Sequence, residues 1–175
     1  MRSTLLILTL ALAGAGLGLW AGGVWDARRG PGAVARIGDP APEIELPDLS
    51  GRPRRLSEWA GRPRLVNFWA SWCGPCIEEM PLLNSYSAEQ APNGTQVVGI
   101  ALDEPEAVKA FLAQVPIGYP TLVEAAGRTD SSVKLGNSRA ILPFSVLIDA
   151  EGRVSRLRVG AFEDRQDLTD WAAGD

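Results

Sequence analysis

From Arg64 to Trp69 the chain reads RLVNFW, a nearly continuous apolar run of the kind a strand carries when both of its faces are buried. A second such run, QVVGIAL, spans Gln96–Leu102. Between them Ile77, Met80, Leu83 and Tyr86 recur at helical spacing, with Pro81 inside the repeat as a predicted kink. Pro105–Gln114 opens on a proline and sets Val108, Phe111 and Leu112 on one face, which predicts a second helix. Ser145–Asp149 and Val154–Val159 predict two strands joined by the hairpin signal Ala150-Glu151-Gly152-Arg153. Asp164–Ala173 predicts a closing amphipathic helix with Leu168 and Trp171 inward. Upstream, Glu43–Leu46 predicts a short strand followed by a turn at Asp48-Leu49-Ser50-Gly51. Leu56-Ser57-Glu58-Trp59 predicts a helical turn capped by Ser57. Strands alternating with helices, then a hairpin and a last helix, predict an α/β fold whose mixed sheet is flanked by helices.

The pattern changes at the N-terminus. Ser3 to Trp25 holds 23 residues without a charge, behind Met1-Arg2. As a helix this stretch would reach ~34 Å, enough to cross a ~30 Å hydrocarbon layer. Leu5–Leu12 also has the length of a signal-peptide apolar region, with Ala13-Gly14-Ala15 as a small-x-small cleavage site. Residues 1–25 therefore read as a signal anchor, or as a cleaved signal peptide. Residues 26–38, rich in Gly, Pro and Arg, read as a flexible linker, and 39–175 as one domain.

Composition limits the chemistry. The 175 residues are 46% hydrophobic and 22% charged, with a mean hydropathy of +0.01, which excludes a polytopic membrane protein. Seventeen basic against 21 acidic residues give a net charge of −4, which argues against nucleic acid as a partner. There is no histidine, so neither a Ser-His-Asp nor a Cys-His mechanism is possible. Two cysteines remain, Cys73 and Cys76.

They form a C-x-x-C motif directly after a buried strand and at the start of a helix. A helix N-terminus presents unpaired N–H groups and a partial positive charge, which favour the thiolate of the first cysteine. On this reading Cys73 is the exposed nucleophile. Cys76, one turn in, is shielded and resolves the mixed disulfide by attacking Cys73. Gly74-Pro75 permits the tight turn and starts the helix. A zinc centre would need about four ligands, and the chain offers no other Cys and no His. A purely structural bridge across so short a loop returns only ~2 kcal/mol. Redox exchange is the reading the pair favours, and it needs neither metal nor cofactor.

Phe68-Trp69-Ala70-Ser71-Trp72-Cys73-Gly74-Pro75-Cys76 resembles the active-site stretch of thioredoxins. The wider pattern resembles the TlpA/ResA-type membrane-anchored thiol–disulfide oxidoreductases of the bacterial envelope. It comprises Gly38-Asp39-Pro40-Ala41-Pro42, the run from Leu56 to Pro63, Glu78-Glu79-Met80-Pro81, and Leu142–Asp149 followed by Glu151-Gly152. The resemblance covers roughly residues 37–172. It implies a thioredoxin-like fold with an added N-terminal β-hairpin and a central insert.

The resemblance also implies roles. Pro143 becomes a cis-proline facing the cysteines, since an X-Pro bond is the ordinary place for a cis peptide. The Leu142 backbone becomes free to pair with an extended substrate strand. Trp72, Gly74, Pro75, Leu142 and Pro143 together are the implied substrate-binding residues, with Trp69 as packing. Thioredoxins carry a titrating aspartate where this chain has Asn67; the TlpA/ResA type is thought to use a glutamate that corresponds here to Glu79. Three residues beyond Cys76 on one helix face, Glu79 can take the Cys76 proton if burial raises its pKa. The bland alternative makes Glu78 and Glu79 first-turn acids favoured by the helix dipole.

The expected activity is therefore reduction of protein disulfides at the periplasmic face of the inner membrane. Electrons would come from a transmembrane thiol donor, and the membrane would be engaged through the N-terminal segment. Cytochrome c maturation is the implied setting. Three alternatives stand beside it. A thiol oxidase shares every residue. A redox-inert binding module would use the Pro143 groove alone. A peroxidase of this fold would place Thr three residues before its cysteine, where this chain has Ala70.

Overall fold

The computed structural model describes residues 34–90, 92 and 94–173. The expected signal anchor lies outside the described residues, as does the linker up to residue 33. Among the described residues no helix is long and apolar enough to cross a membrane.

The two apolar runs become the centre of a five-stranded sheet. β3 (Arg64–Trp69) and β4 (Gln96–Leu102) pair in parallel, with β5 (Thr121–Glu124) parallel beyond β4. On the other side β6 (Phe144–Ile148) and β7 (Val154–Val159) run antiparallel, giving the order β5-β4-β3-β6-β7. The parallel pairs require crossovers, which α1 (Gly74–Glu89) and α2 (Pro105–Leu112) supply. A short α3 (Ser131–Lys134) precedes β6, and α4 (Arg165–Ala173) closes the fold.

Alternation along β3 divides the core. Val66 and Phe68 face a cluster with Val98, Ile100, Leu122, Phe144 and Val146, covered by Ile44, Leu56 and Leu135. Leu65 and Trp69 face the opposite side, where α1 contributes Met80 and Leu83, α2 contributes Val108 and α4 contributes Leu168. Asn67 shares that second face.

The N-terminal hairpin pairs β1 (Glu45–Pro47) with β2 (Pro53–Arg55). Gly51 takes a positive φ of 83° in its turn, while Asp48 accepts N–H bonds from Ser50 and Arg52. Asp48 then bridges to Leu122 of β5, so the hairpin covers the edge strand of the sheet.

Four expectations change. The turn at Leu56–Trp59 is a 3₁₀ helix with Ser57 inside it; Glu58, not Ser57, accepts the Arg55 N–H at 2.8 Å. α1 runs unbroken through Pro81, which lies on its exposed face. Residues 34–38, read as linker, are tied to the domain: Ala35 N–H donates to Lys134 O and Gly38 N–H to Val154 O. Finally, β5 and α3 form within the segment between the second helix and the hairpin, where four-residue elements leave little periodicity to read.

Phe68 is fully buried in the central strand, its ring 6.0 Å from that of Phe144. Phe68→Ala should cost about 3–5 kcal/mol, seen as a lower urea midpoint at unchanged m-value. A loss below about 1 kcal/mol would contradict this account of the core.

Candidate active site

The cysteines lie where the C-terminal end of β3 turns into α1. Cys73 is the N-cap residue, with Gly74 the first helical residue and Pro75 in the first turn. The Ile77 N–H closes the first helical bond to the Cys73 carbonyl at 3.1 Å. The two cysteines are joined as a disulfide, their Cα atoms 5.3 Å apart. Cys76 is shielded as expected, at 1% exposed, but Cys73 is only 6% exposed and so more enclosed than the sequence suggests. The reason is the apolar cluster around the pair, formed by Trp69, Ala70, Met80, Val108 and Leu142.

Ser71 anchors the approach to the motif. Its N–H and its hydroxyl both donate to Asp103 Oδ2, at 3.1 and 2.5 Å. Burial pushes the Asp103 carboxyl up, but the bonds from Ser71 and Glu104 outweigh it and hold it below the usual range. Asp103 directly follows β4, beside the end of β3. Its place at the carboxyl end of a parallel strand was the available signal for it.

Trp72 is 68% exposed and Trp69 fully buried. Trp72 and Leu142 both line one groove of about 350 Å³, with Arg128 and Asn137. The Leu142–Pro143 peptide is cis. The loop before it is held from below: the Asn137 amide donates to Ile141 O at 3.0 Å and accepts from Ile141 N–H at 3.1 Å. Asn137 also donates to Ser132 Oγ, which in turn donates to Asp130 Oδ1 at 2.7 Å. Sequence reasoning missed this clamp, because nothing in isolated Ser, Asn and Asp residues marks them as one network.

Glu79 is 2% exposed. α1 starts at Gly74, so Glu78 and Glu79 fall in its second turn and not in the first, as the helix-dipole reading requires. Glu78 is exposed, whereas Glu79 turns inward. One oxygen of Glu79 accepts from Asn67 Nδ2 at 2.8 Å and the other from the Phe162 N–H at 3.0 Å. Asn67 also donates to Ser145 Oγ at 3.1 Å. The Phe162 donor is held in place by Arg158, which binds Asp167 through two bonds of 2.8 and 2.6 Å and also the Ala161 carbonyl. Burial raises the Glu79 pKa to about 7; the Phe162 and Asn67 bonds and the Arg158 charge oppose that rise without cancelling it. Among the described residues no group of three or more Cys, Asp or Glu is placed to hold a metal.

A cysteine pair closed as a disulfide at a helix start, near a cis-proline loop and one turn before a buried carboxyl, defines a thiol–disulfide exchange site on a thioredoxin-like fold. The comparisons agree. The profile of the AhpC/TSA family matches residues 37–157, and the chain belongs to that family as a ResA/TlpA-like member of the thioredoxin superfamily. The thiol-disulfide oxidoreductase ResA of Bacillus cereus is 31% identical over 126 residues, covering 71% of this chain and 70% of the relative. A solved structure from Chlorobium tepidum, described as a thiol:disulfide interchange protein DsbE, superposes with a TM-score of 0.69 at 32% identity, over 79% of this chain and 96% of that one. A thioredoxin-related protein from Neisseria meningitidis serogroup B gives 0.66 at 32% identity, over 74% and 96%. The protein is a thiol–disulfide oxidoreductase. The position of a peroxidatic threonine is filled by buried Ala70, which has no hydroxyl.

The raised pKa of Glu79 has a consequence for stability. In the unfolded chain the carboxyl releases its proton near 4.5, but in the folded protein near 7. The folded state therefore binds the extra proton between these values, and stability falls as pH rises through that window. The stabilisation is complete below about 4.5, and about 3 kcal/mol of it is gone above 7. Denaturant unfolding of the oxidised protein from pH 4 to 8 should show this slope, and Glu79→Gln should flatten it. An unchanged slope in the variant would contradict the assignment.

Proposed function

We propose that this oxidoreductase works as a reductase of protein disulfides. The observation that carries the reading is the buried Glu79 one turn beyond Cys76, poised near neutrality in a chain without histidine. With both cysteines reduced, the Cys73 thiolate attacks a substrate disulfide and the first substrate sulfur leaves. Glu79 then takes the Cys76 proton, and the Cys76 thiolate attacks Cys73. The Cys73–Cys76 disulfide forms as the second substrate sulfur departs with the electron pair. A base whose pKa lies near the working pH suits this transfer. Gly74-Pro75 between the cysteines supports a reducing pair. The groove between Trp72 and Leu142 suits an extended segment pairing with the Leu142 backbone.

The setting follows from the N-terminal sequence and from the resemblance. The uncharged stretch from Ser3 to Trp25 supports anchoring, or export, to the periplasmic face of a bacterial inner membrane. Regeneration there calls for a transmembrane thiol donor, and cytochrome c maturation is a process that such a reductase serves.

Cys76→Ser should accumulate the protein substrate as a mixed disulfide on Cys73, identifiable by mass spectrometry. Glu79→Gln should slow resolution of a preformed mixed disulfide at least tenfold at pH 7. Unchanged kinetics would refute the role of Glu79. Equilibration with glutathione should place the pair near the thioredoxin value of about −270 mV; a value near −120 mV would make the protein an oxidase.

A further inference from the structure

Five buried side-chain polar atoms have no hydrogen-bond partner among the described residues, and four of them belong to one neighbourhood: Asn67 Oδ1, Trp69 Nε1, Tyr119 OH and Thr121 Oγ1. Sheet register explains the grouping. Ser145, Asn67, Gly99 and Thr121 are successive partners across β6, β3, β4 and β5, so one row of the sheet is polar or empty from the centre to the edge. This row lies on the face that α1 covers with Glu79.

Gly99 is the one member of the row without a side chain, and its neighbours close over it. A Cβ built there would lie 3.0 Å from the Tyr119 ring, 3.2 Å from Trp69 Nε1 and 3.5 Å from Thr121 Oγ1. Trp69 Nε1 and Thr121 Oγ1 thus lie beside the one position in β4 that carries no side chain, with the Tyr119 ring against it. They are all at least nine-tenths buried. Leaving each unsatisfied costs about 1–3 kcal/mol. An indole N–H donor, two hydroxyls and an amide carbonyl together make a complementary set for water, which takes two to four such partners and carries no charge. Tyr119 and Thr121 also line a surface groove beside β5, together with Asp48 and Arg52 of the N-terminal hairpin. The polar row therefore runs from Glu79 and its partner Asn67 to the edge of the sheet.

We propose that these four groups hold buried water, and that this water carries the Glu79 proton to solvent at the β5 edge. The inference rests on the reading of Glu79 as the proton acceptor of Cys76. Its use is clear when a substrate occupies the groove at Trp72 and Leu142, because the cysteine face is then covered. The Cys76 S–H bond breaks as a Glu79 O–H bond forms, and the Cys76 thiolate closes the disulfide. Glu79 then returns its proton to the adjoining water, and one proton leaves the row between Tyr119 and Thr121. No electron moves in that second step.

The groups around Glu79 are Asn67 of β3, Tyr119 before β5, Arg158 of β7 and the Phe162 N–H, with Cys76 three residues earlier on the same helix. Arg158 is itself paired with Asp167 of α4. Tyr119 is the one neutral hydroxyl among them, and removing it together with Thr121 Oγ1 strips polar support from the ionised carboxyl.

The test is the pH profile of mixed-disulfide resolution in the Tyr119→Phe/Thr121→Val variant of the full chain, with retained folding checked by circular dichroism. The profile should move to higher pH by about one unit, which slows resolution about fivefold at pH 7. A profile that superimposes on the wild type overturns the relay. Glu79→Gln, run in parallel, separates the two ideas. If it abolishes the pH dependence while the double variant changes nothing, only the relay fails; if it changes nothing, the reading of Glu79 fails first. Should the double variant not fold, a high-resolution crystal structure of the wild-type protein decides. Ordered water bonded to Trp69 Nε1 and Thr121 Oγ1 is expected, and a dry interior there overturns the proposal.

Discussion

The carboxyl of Glu79 lies almost wholly out of water, and its direct partners are two neutral donors, the Asn67 amide and the Phe162 N–H. Burying an unpaired carboxylate is costly, so the group keeps its proton until the pH nears neutrality. That constraint organises the rest of the site. β3 must place a residue under α1 that can bond a carboxyl without neutralising it, and Asn67 does so. The turn after β7 must offer a backbone N–H at a fixed position, and the Arg158–Asp167 pair pins that turn. Arg158 acts on Glu79 as a distant charge and not as a salt-bridge partner, which leaves the carboxyl able to change state.

Two sides of the cysteine pair are thereby separated. The front offers an exposed indole at Trp72, the Leu142 backbone and a loop clamped by Asn137. This is the side proposed to meet the substrate. The back holds Glu79, Asn67 and the polar row across the sheet, the groups proposed to handle protons. Ser71 and Asp103 hold the junction between them, so the start of α1 is fixed whichever side is engaged.

Much of this was legible in the sequence. The apolar runs located β3 and β4 because strands buried on both faces need no alternation to reveal them. The Cys-Gly-Pro-Cys stretch located the start of α1, since a proline early in a helix after a buried strand leaves few alternatives. Glu79 was singled out by its spacing from Cys76 and by the resemblance. What was not legible depends on pairing between distant segments. β5 is four residues long and owes its existence to β4 beside it and to the hairpin that covers it. The Phe162 donor is a backbone atom, and no side chain announces it. The enclosure of Cys73 comes from Leu142 and Met80 packing around it, a tertiary effect to which the local motif is blind. Gly99 is the sharpest case: inside an apolar run it reads as a weak strand residue, and only the register of three strands reveals that Trp69, Tyr119 and Thr121 pack over the place of its missing side chain.

The central claim is that Glu79 is a buried acid poised near neutrality beside the cysteine pair. Its side-chain carboxyl can be followed directly by ¹³C NMR in selectively labelled, oxidised protein as pH is varied. The titration midpoint should lie near 7, displaced from the ordinary value of 4.5. A midpoint at or below 4.5 would contradict the claim.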